Sequence, residues 1–241
     1  MNNWQKKSYM KWMLCSIIFG ASSLSLEAQD ASFKRLRATS LTSSINEIVL
    51  MGNNGTIDFK VPAGRRSDVV DYTGPTTLTF FRKGSLEVEG SKPEKVAQIE
   101  LREDIKKPLL IFYPIESGYK VFAIEDDINQ IPGGSVLFAN LSLYPLTILL
   151  GENGEDRFEI KPGTTELRKF KSGNVNVRIR AASHLGNNLK KGMDSRIFPI
   201  PNFRDICFIF SDGNQSSGKV KLRTLRENVV TTQRAYTTLG Q

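Results

Sequence analysis

The chain has 241 residues, of which 39% are hydrophobic and 24% are charged, with 33 Lys and Arg against 25 Asp and Glu. This balance excludes a multispan membrane protein and a disordered charged tail, and it is typical of a folded chain with a sizeable core. Two cysteines exclude a disulfide scaffold. The 14 Phe, 19 Gly and 10 Pro favour many short strands joined by turns.

The chain begins with a segment that has the composition of a secretory signal peptide. Three lysines lie within residues 6–11, the run 12–26 is apolar with interspersed serines, and the small residue Ala28 follows. We expect cleavage after Ala28, a mature chain that begins at Gln29, and export to the periplasm or the extracellular space. A membrane anchor is the alternative, but an anchor needs about 20 apolar residues without such dilution.

Downstream of this segment the chain repeats itself once, at an offset of 99 residues. Residues 49–55 match residues 148–154, and residues 59–64 match residues 158–163, with no gap in either block. The matched positions include Gly, Asn and Phe identities between apolar, strand-like flanks. Such a repeat predicts an internal duplication. Weaker matches at the same offset join residues 110–111 to 209–210 and residues 120–121 to 219–220.

Each copy consists of short segments with strand patterns. Apolar and polar residues alternate over 174–181 and 219–224, which predicts strands with one solvated face. The run 206–210 and its counterpart 109–113 are apolar throughout, which predicts strands in the middle of packed sheets. The predicted strands of the second copy are residues 135–140, 146–150, 157–161, 165–170, 174–181, 195–200, 205–210 and 219–224.

The turns between these segments also have a sequence signature. Asn54-Gly55 and Asn153-Gly154 are the dipeptide that tolerates positive φ in a type I′ turn, so each copy is predicted to contain a hairpin there. Residues 116–118 and 211–214 lie between the last two strands of the copies and predict a second hairpin in each.

These observations together predict an all-β protein. We expect two tandem antiparallel β-sandwich domains of the immunoglobulin-like kind, related by internal duplication, after a signal peptide. The predicted boundaries are 1–28 for the signal peptide, 29–130 for the first sandwich, 131–228 for the second sandwich and 229–241 for a C-terminal tail.

The start of the second copy carries a family resemblance. Residues 131–142 (IPGGSVLFANLS), then Tyr144-Pro145 and residues 160–163 (IKPG), resemble a pattern in secreted β-rich proteins of unknown function from Verrucomicrobia-type bacteria. The resemblance covers chiefly the second copy, and nothing like the Pro-Gly-Gly-Ser entry precedes the first. It implies an exported bacterial protein and supplies no catalytic or binding residue.

Residues with catalytic or metal-binding chemistry are few. His184, the one histidine, lies in the polar segment 183–188, which is interpreted as an exposed loop, and no Gly-x-Ser-x-Gly motif accompanies it. Cys207 lies in an apolar run, which predicts a buried and inert thiol. Asp126 and Asp127 lack the spacing of a calcium loop and are interpreted as a solvated linker. We predict no metal and no cofactor.

Charge is divided unevenly between the copies. Residues 29–130 hold 14 basic and 15 acidic side chains, whereas residues 131–241 hold 16 and 9, a net charge of −1 against +7. Such an excess attracts anionic polymers, although Lys and Arg on strands also serve solubility and block edge pairing. The candidate contacts to an anionic polymer are Arg178, Arg180, Lys190, Lys191, Lys219, Lys221 and Arg223.

The functional prediction follows from these features. We expect an exported, non-catalytic binding or structural module of the bacterial cell envelope, with an anionic polymer or an envelope protein as partner. Nucleic acid does not suit an exported protein, and no membrane span is expected after signal cleavage. The alternative is a hydrolase of envelope or extracellular polymers that uses two carboxylates about 5 to 9.5 Å apart in a cleft between the copies.

Overall fold

The computed structural model describes residues 32–86, 92–170, 176–212 and 217–230, and the predicted signal peptide lies outside them. The described residues form sixteen β-strands. In the first copy these are β1 (Ser32–Ser40), β2 (Ile45–Gly52), β3 (Gly55–Val61), β4 (Val70–Gly74), β5 (Thr77–Arg82), β6 (Lys95–Glu100), β7 (Pro108–Ile115) and β8 (Gly118–Glu125). In the second copy they are β9 (Ser135–Asn140), β10 (Leu146–Leu150), β11 (Asp156–Ile160), β12 (Thr165–Lys169), β13 (Val177–Leu185), β14 (Asn188–Ile197), β15 (Phe203–Ser211) and β16 (Val220–Asn228).

The strands form four sheets, and the two copies have the same strand order. The first copy has the sheets β4-β1-β7-β8 and β3-β2-β5-β6, and the second has β12-β9-β15-β16 and β11-β10-β13-β14. Adding eight to each label of the first copy gives the second. The pairs β1·β7 and β9·β15 are parallel, and the other pairs are antiparallel. The prediction of an all-β protein with two related sandwiches is confirmed. The prediction of purely antiparallel sheets did not include the one parallel strand pair that each sandwich contains.

The strand register refines the predicted repeat. Phe59 lies opposite Ile48, and Phe158 lies opposite Ile148. The two phenylalanines are 99 positions apart, but the two isoleucines are 100 apart. The gapless match of Val49 with Ile148 is therefore wrong by one residue, because the chain from Ile48 to Phe59 is one residue longer than the chain from Ile148 to Phe158. A shift of one residue moves a side chain to the other face of a sheet.

Both predicted hairpins between the second and third strands of the copies are present. In the first, the two loop residues are Asn53 and Asn54, and Gly55 opens β3 with a φ of 109°. In the second, Gly154 precedes β11 with a φ of 76°. These positive φ values lie where residues with a Cβ are rarely found, which explains glycine at both positions. The β7–β8 hairpin is also present, whereas residues 213–216 of the last hairpin lie outside the described residues.

The seventh strands of the copies show a second register difference. The amide of Leu41 donates to the carbonyl of Phe112 at 3.0 Å, and the amide of Leu141 donates to the carbonyl of Ile209 at 2.8 Å. Phe112 and Ile209 are therefore equivalent, although they are 97 positions apart. The predicted offset of 99 is two residues too long here. Because side chains alternate with a period of two, this error leaves every residue on its predicted face.

Each sandwich has its own apolar core between its two sheets. Phe59, Phe80 and Phe112 pack in the first core, with ring centroids of Phe80 and Phe112 at 5.1 Å. Phe138 and Phe158 pack in the second core at 5.5 Å. Buried aromatic rings of this kind dominate the energetics of a core.

A third apolar cluster lies between the two sandwiches. It joins the sheets β4-β1-β7-β8 and β12-β9-β15-β16, with Leu109 and Ile111 of β7 against Ile206 and Phe208 of β15. These four side chains are at most 1% exposed. The runs 109–113 and 206–210 are apolar on both faces because each strand contacts its own core on one side and the other sandwich on the other. The prediction of strands inside packed sheets is confirmed.

Charged side chains also join the two sandwiches. Three arginines and two carboxylates make contacts there, and we call this set the ionic cluster. Its members are Arg37, Arg66, Asp126, Arg204 and Glu227.

The ionic cluster is buried and bonded across the junction. Arg66 donates from Nε and Nη2 to the two carboxylate oxygens of Asp126 at 2.7 and 2.8 Å. Arg204, whose side chain is 1% exposed, lies with Nη2 3.1 Å from Asp126 Oδ1 and donates from Nε to Glu227 Oε2 at 2.6 Å. The interpretation of Asp126 as part of a solvated linker is wrong, since arginines from both sandwiches enclose its carboxylate. Asp127 beside it is bonded to Lys107 at 2.8 Å.

Candidate functional site

The outer face of the sheet β11-β10-β13-β14 carries a shallow groove of about 430 Å³, which we call the outer groove. It lies on the side of the second sandwich that faces away from its own core. Strands β10, β13 and β14 supply its lining. The lining residues are Leu149, Arg178, Arg180, Ala181, Ala182, Leu189, Lys190, Lys191, Met193 and Asp194.

Strand alternation places the arginines in this groove. Along β13 the buried residues Val177 and Ile179 belong to the second core, whereas Arg178 and Arg180 point to the opposite face. The two arginines are two positions apart, which on a strand is about 6.6 to 6.8 Å. The alternation predicted from the sequence over 174–181 is confirmed for Val177 to Ala181, whereas residues 174 and 175 lie outside the described residues.

A β-bulge turns Lys191 toward the groove. The pairing of β13 with β14 shifts between Ala181 and Ala182, so that Met193 and Lys191 lie opposite neighbouring residues and Gly192 is the extra one. Met193 therefore belongs to the second core while Lys191 lines the groove, although residues two positions apart on a strand usually face the same way. Lys190 lies opposite the buried Ser183 and lines the groove on the edge strand β14.

Two of the groove's charges neutralise each other. Arg178 donates from Nε and Nη2 to the carboxylate oxygens of Asp194 at 2.9 and 2.6 Å. The hydrogen bond to Arg178 lowers the pKa of Asp194, and the same bond raises the pKa of Arg178. Arg196, opposite Arg178 on β14, is matched by Glu152 at 2.6 Å.

The other cations of the outer groove are incompletely matched. Arg180 donates from Nη2 to the carbonyl of Glu152 at 3.2 Å, and its buried Nε has no acceptor among the described residues. Within that part of the chain, neither Arg180 nor Lys190 has a carboxylate within 4.0 Å. Lys191 is 4.0 Å from Asp194 and its side chain is 78% exposed. The groove thus offers a local excess of positive charge.

The remaining lining of the groove is aliphatic. Leu149 lies opposite Arg180 on β10, and Leu189 on β14 is 58% exposed. Met193 and the alanines of β13 complete this lining, and none of the ten lining residues is aromatic. The groove therefore places aliphatic side chains next to cationic ones, as Leu149 lies next to Arg180.

The structure divides the seven predicted contact residues. Arg178, Arg180, Lys190 and Lys191 meet in the outer groove. Three others do not line it. Lys219 follows Gly218, which packs against Lys190 at the same edge of the sandwich, whereas Lys221 and Arg223 lie on β16 in the other sheet. Lys221 forms an ion pair with Asp212.

Sequence reasoning missed several residues of the outer groove. Asp194, which matches Arg178, carried no signal because the pairing depends on the register of β13 and β14. Leu149 and Leu189 were also missed. The outward orientation of Leu149 could have been predicted from strand alternation, because its neighbours Ile148 and Leu150 are both buried.

The residues considered for catalysis are separated in the structure. His184 lies in β13 rather than in a loop, so that interpretation is wrong, and its Nε2 is 2.8 Å from Thr147 Oγ1 and 4.0 Å from Glu159. Cys207 is buried in the second core, and burial raises the pKa of its thiol to about 12. Among the described residues no three His, Cys, Asp or Glu side chains form a group suited to a metal ion.

A smaller cavity of about 170 Å³ lies where the two sandwiches meet. Its lining is mostly apolar, with Ile124 from the first copy and Leu141 from the second, and Glu100 is its one carboxylate. This cavity therefore does not supply the pair of acids that the hydrolase alternative requires.

Comparison with models of known families and with curated proteins found no match to this chain. None of the helical residues in the described ranges forms a helix long and apolar enough to cross a membrane. A function is therefore inferred from the geometry of the outer groove.

Proposed function

We propose that this protein is an exported, non-catalytic binding module of the bacterial cell envelope, and that its second sandwich contacts an anionic polymer through the outer groove. The observation that carries this proposal is the local excess of positive charge in a concave, partly aliphatic surface. Arg180, Lys190 and Lys191 provide it, since Asp194 matches only Arg178 directly.

The charge of the whole second copy supports the same proposal. Residues 131–241 hold 16 basic and 9 acidic side chains. A region with this net charge raises the local concentration of polyanions and speeds their association. The contacts themselves would then be made where several of these cations meet in a concave surface, as they do in the outer groove.

The junction between the sandwiches supports a role without catalysis. Asp126 and Glu227 come closest to the acid pair of the hydrolase alternative, because both contact the guanidinium of Arg204. Arginines hold both carboxylates, and the side chain of Asp126 is 4% exposed. A general acid or base must reach the substrate proton directly or through one water molecule. Carboxylates held in this way serve cohesion better than catalysis.

A binding measurement with matched variants tests the proposal. The test variant carries Arg180→Gln, Lys190→Gln and Lys191→Gln, and the control variant carries Lys219→Gln, Lys221→Gln and Arg223→Gln. Both lose three positive charges from the same copy. With dextran sulfate as the probe at low salt, we expect the test variant to bind about tenfold more weakly and the control to change by less than about twofold.

Two outcomes would contradict the proposal. An equal loss in both variants would mean that net charge alone, and not the groove, attracts the polymer. Binding of uncharged dextran as strong as that of dextran sulfate would mean that charge has no part in recognition.

Export is tested separately from binding. N-terminal sequencing of the protein recovered from its native host should give a chain that begins at Gln29. Retention of Met1 on a membrane-bound product would mean that the first residues act as an anchor and are not removed.

A further inference from the structure

Resting on the proposed function, we infer that the anionic polymer is a polypeptide: the outer groove binds an extended acidic segment in which carboxylate side chains lie beside aliphatic ones. In this assignment the cations of the groove contact the carboxylates, and its two leucines contact the aliphatic side chains.

The lining of the groove favours a ligand with apolar groups. Leu149 and the exposed Leu189 lie among the cations, and a hydrophilic polyanion would make no apolar contact with them. Burying aliphatic surface is favourable by an amount proportional to its area. The lining therefore suits a ligand that carries both charge and aliphatic groups.

The absence of aromatic side chains from the lining argues against stacked ligands. Single-stranded nucleic acids are typically held by bases that stack on aromatic rings. Each of the ten lining residues is aliphatic, cationic or acidic, so the groove offers no such platform.

The spacing of the groove matches an extended peptide. Arg178 and Arg180 are two positions apart on β13, and the side chains of an extended peptide repeat with the same interval of about 6.6 to 6.8 Å. Leu149 is the cross-strand neighbour of Arg180, and such neighbours have Cβ atoms about 4.5 to 5.5 Å apart. A carboxylate that contacts Arg180 and an aliphatic side chain that contacts Leu149 would thus lie on the same face of the ligand, at least two residues apart.

The acidic residues near the groove favour a peptide over a membrane surface. Asp194 and Glu152 lie beside the arginines on the same outer face. A flat anionic bilayer would approach these carboxylates together with the lysines and would be repelled by them. A narrow peptide can place its own carboxylates next to Arg180 and Lys190 and avoid Asp194.

The experiment compares two synthetic peptides with the intact protein. One repeats Asp-Ser-Leu-Ser, so that the Asp and Leu side chains share one face of the extended peptide, and the other has the same charges with Ser in place of Leu. We expect the first peptide to bind about tenfold more tightly. Leu189→Ser, at a position that is 58% exposed, should bring the two affinities to within about twofold while the affinity for the serine peptide stays unchanged. The control Ile115→Ser, at an exposed position of the first copy, should change neither.

The outcomes separate this inference from the proposed function. Equal affinities for the two peptides, or a ratio indifferent to Leu189→Ser, would overturn the polypeptide assignment even if dextran sulfate still binds the groove. Tight binding of phosphatidylglycerol vesicles that Leu189→Ser abolishes, with neither peptide bound, would assign the groove to a lipid surface. Failure of the acidic peptides and of dextran sulfate alike would overturn the proposed function itself.

Discussion

The ionic cluster and the outer groove use the same kinds of side chain for opposite purposes. In the ionic cluster, Arg204 is buried and bonded to both Asp126 and Glu227. In the outer groove, Asp194 matches Arg178 while Arg180 retains a buried Nε without an acceptor in the described part of the chain. Buried arginines that hold shared carboxylates indicate a structural role. Surface cations that outnumber their carboxylate partners in a concave surface can pair with the acidic groups of a ligand.

The difference has a physical cause. Transfer of a charge into a protein interior costs several kcal/mol, so buried charges persist only when partners and hydrogen bonds offset that cost. A charge at the surface keeps its water, and leaving it unmatched costs little. Surface cations can therefore bind a ligand, whereas the charged groups of the ionic cluster already form ion pairs with each other.

The largest expected effect concerns the ionic cluster. Asp126→Ala leaves Glu227 as the one carboxylate of the ionic cluster for its three arginines, and breaking a buried pair in this way costs about 3–5 kcal/mol. Urea denaturation should show this loss in the free energy of unfolding. The control Asp104→Ala breaks an exposed pair with Arg102 and should leave stability nearly unchanged. Equal effects of the two substitutions would remove the contrast between buried and exposed pairs.

The next largest effect should come from salt, which is expected to weaken polyanion binding at the outer groove and to leave the ionic cluster intact. Raising NaCl from low to physiological concentration shortens the screening length to about 8 Å. We expect the affinity for dextran sulfate to fall several-fold, because Lys190 and Lys191 are exposed. The melting temperature should hardly change, because the ionic cluster is shielded from solvent. A melting temperature that falls in step with the affinity would mean that ions reach the ionic cluster as well.

A smaller effect is expected when Arg178 is released from its partner. Asp194→Asn removes the matching charge, so the affinity for dextran sulfate at neutral pH should rise by about threefold. The substitution should leave stability nearly unchanged because the pair is exposed. An unchanged affinity, measured by titration calorimetry, would exclude Arg178 from the binding surface.

The same pair gives the affinity a dependence on pH. Because the hydrogen bond to Arg178 lowers the pKa of Asp194, this carboxylate stays ionised down to acidic pH. The contribution of the pair to stability is present above the pKa of Asp194 in the unfolded chain and is lost as pH falls through the lower, folded value. The affinity for a polyanion changes in the opposite direction to stability, because protonation of Asp194 removes a negative charge from the groove. As pH falls through the lowered pKa of Asp194, the affinity for dextran sulfate, whose sulfates stay charged, should rise more in the natural protein than in the Asp194→Asn variant.

The smallest expected effect is at Cys207. Burial raises the pKa of this thiol to about 12, so iodoacetamide at pH 8 should leave Cys207 of the folded protein unmodified. Cys207 belongs to the second core and not to the ionic cluster. It should therefore stay unmodified in the Asp126→Ala variant under conditions where that variant is folded. Modification of Cys207 in that variant alone would mean that the ionic cluster also holds the second core together.

Much of the fold was predictable from local pattern. Each of the eight strands predicted in the second copy overlaps a strand of the structure. The alternation along β13 correctly assigned Arg178 and Arg180 to the solvated face, because the period of a strand is a property of neighbouring residues. The run 206–210 correctly indicated a strand buried on both sides.

The candidate site was predictable only in part. Four of the seven predicted cations line the outer groove, but Lys221 and Arg223 lie on another sheet. Net charge gives the composition of a region and not the face on which each charge lies. The bulge at Gly192, which turns Lys191 toward the groove, also has no marker that distinguishes it from any other glycine in a strand.

The sequence by itself determined the class of secondary structure, the number of strands in the second copy, the hairpins and the faces of the alternating strands. These properties depend on residues a few positions apart. The tertiary structure decided the strand register, the contact between the inner sheets and the partners of each charge. Arg66 and Asp126 are 60 positions apart, and Arg204 and Asp126 are 78 apart. Asp126 is part of the ionic cluster rather than a solvated linker because packing of the two sandwiches brings these distant arginines to one carboxylate.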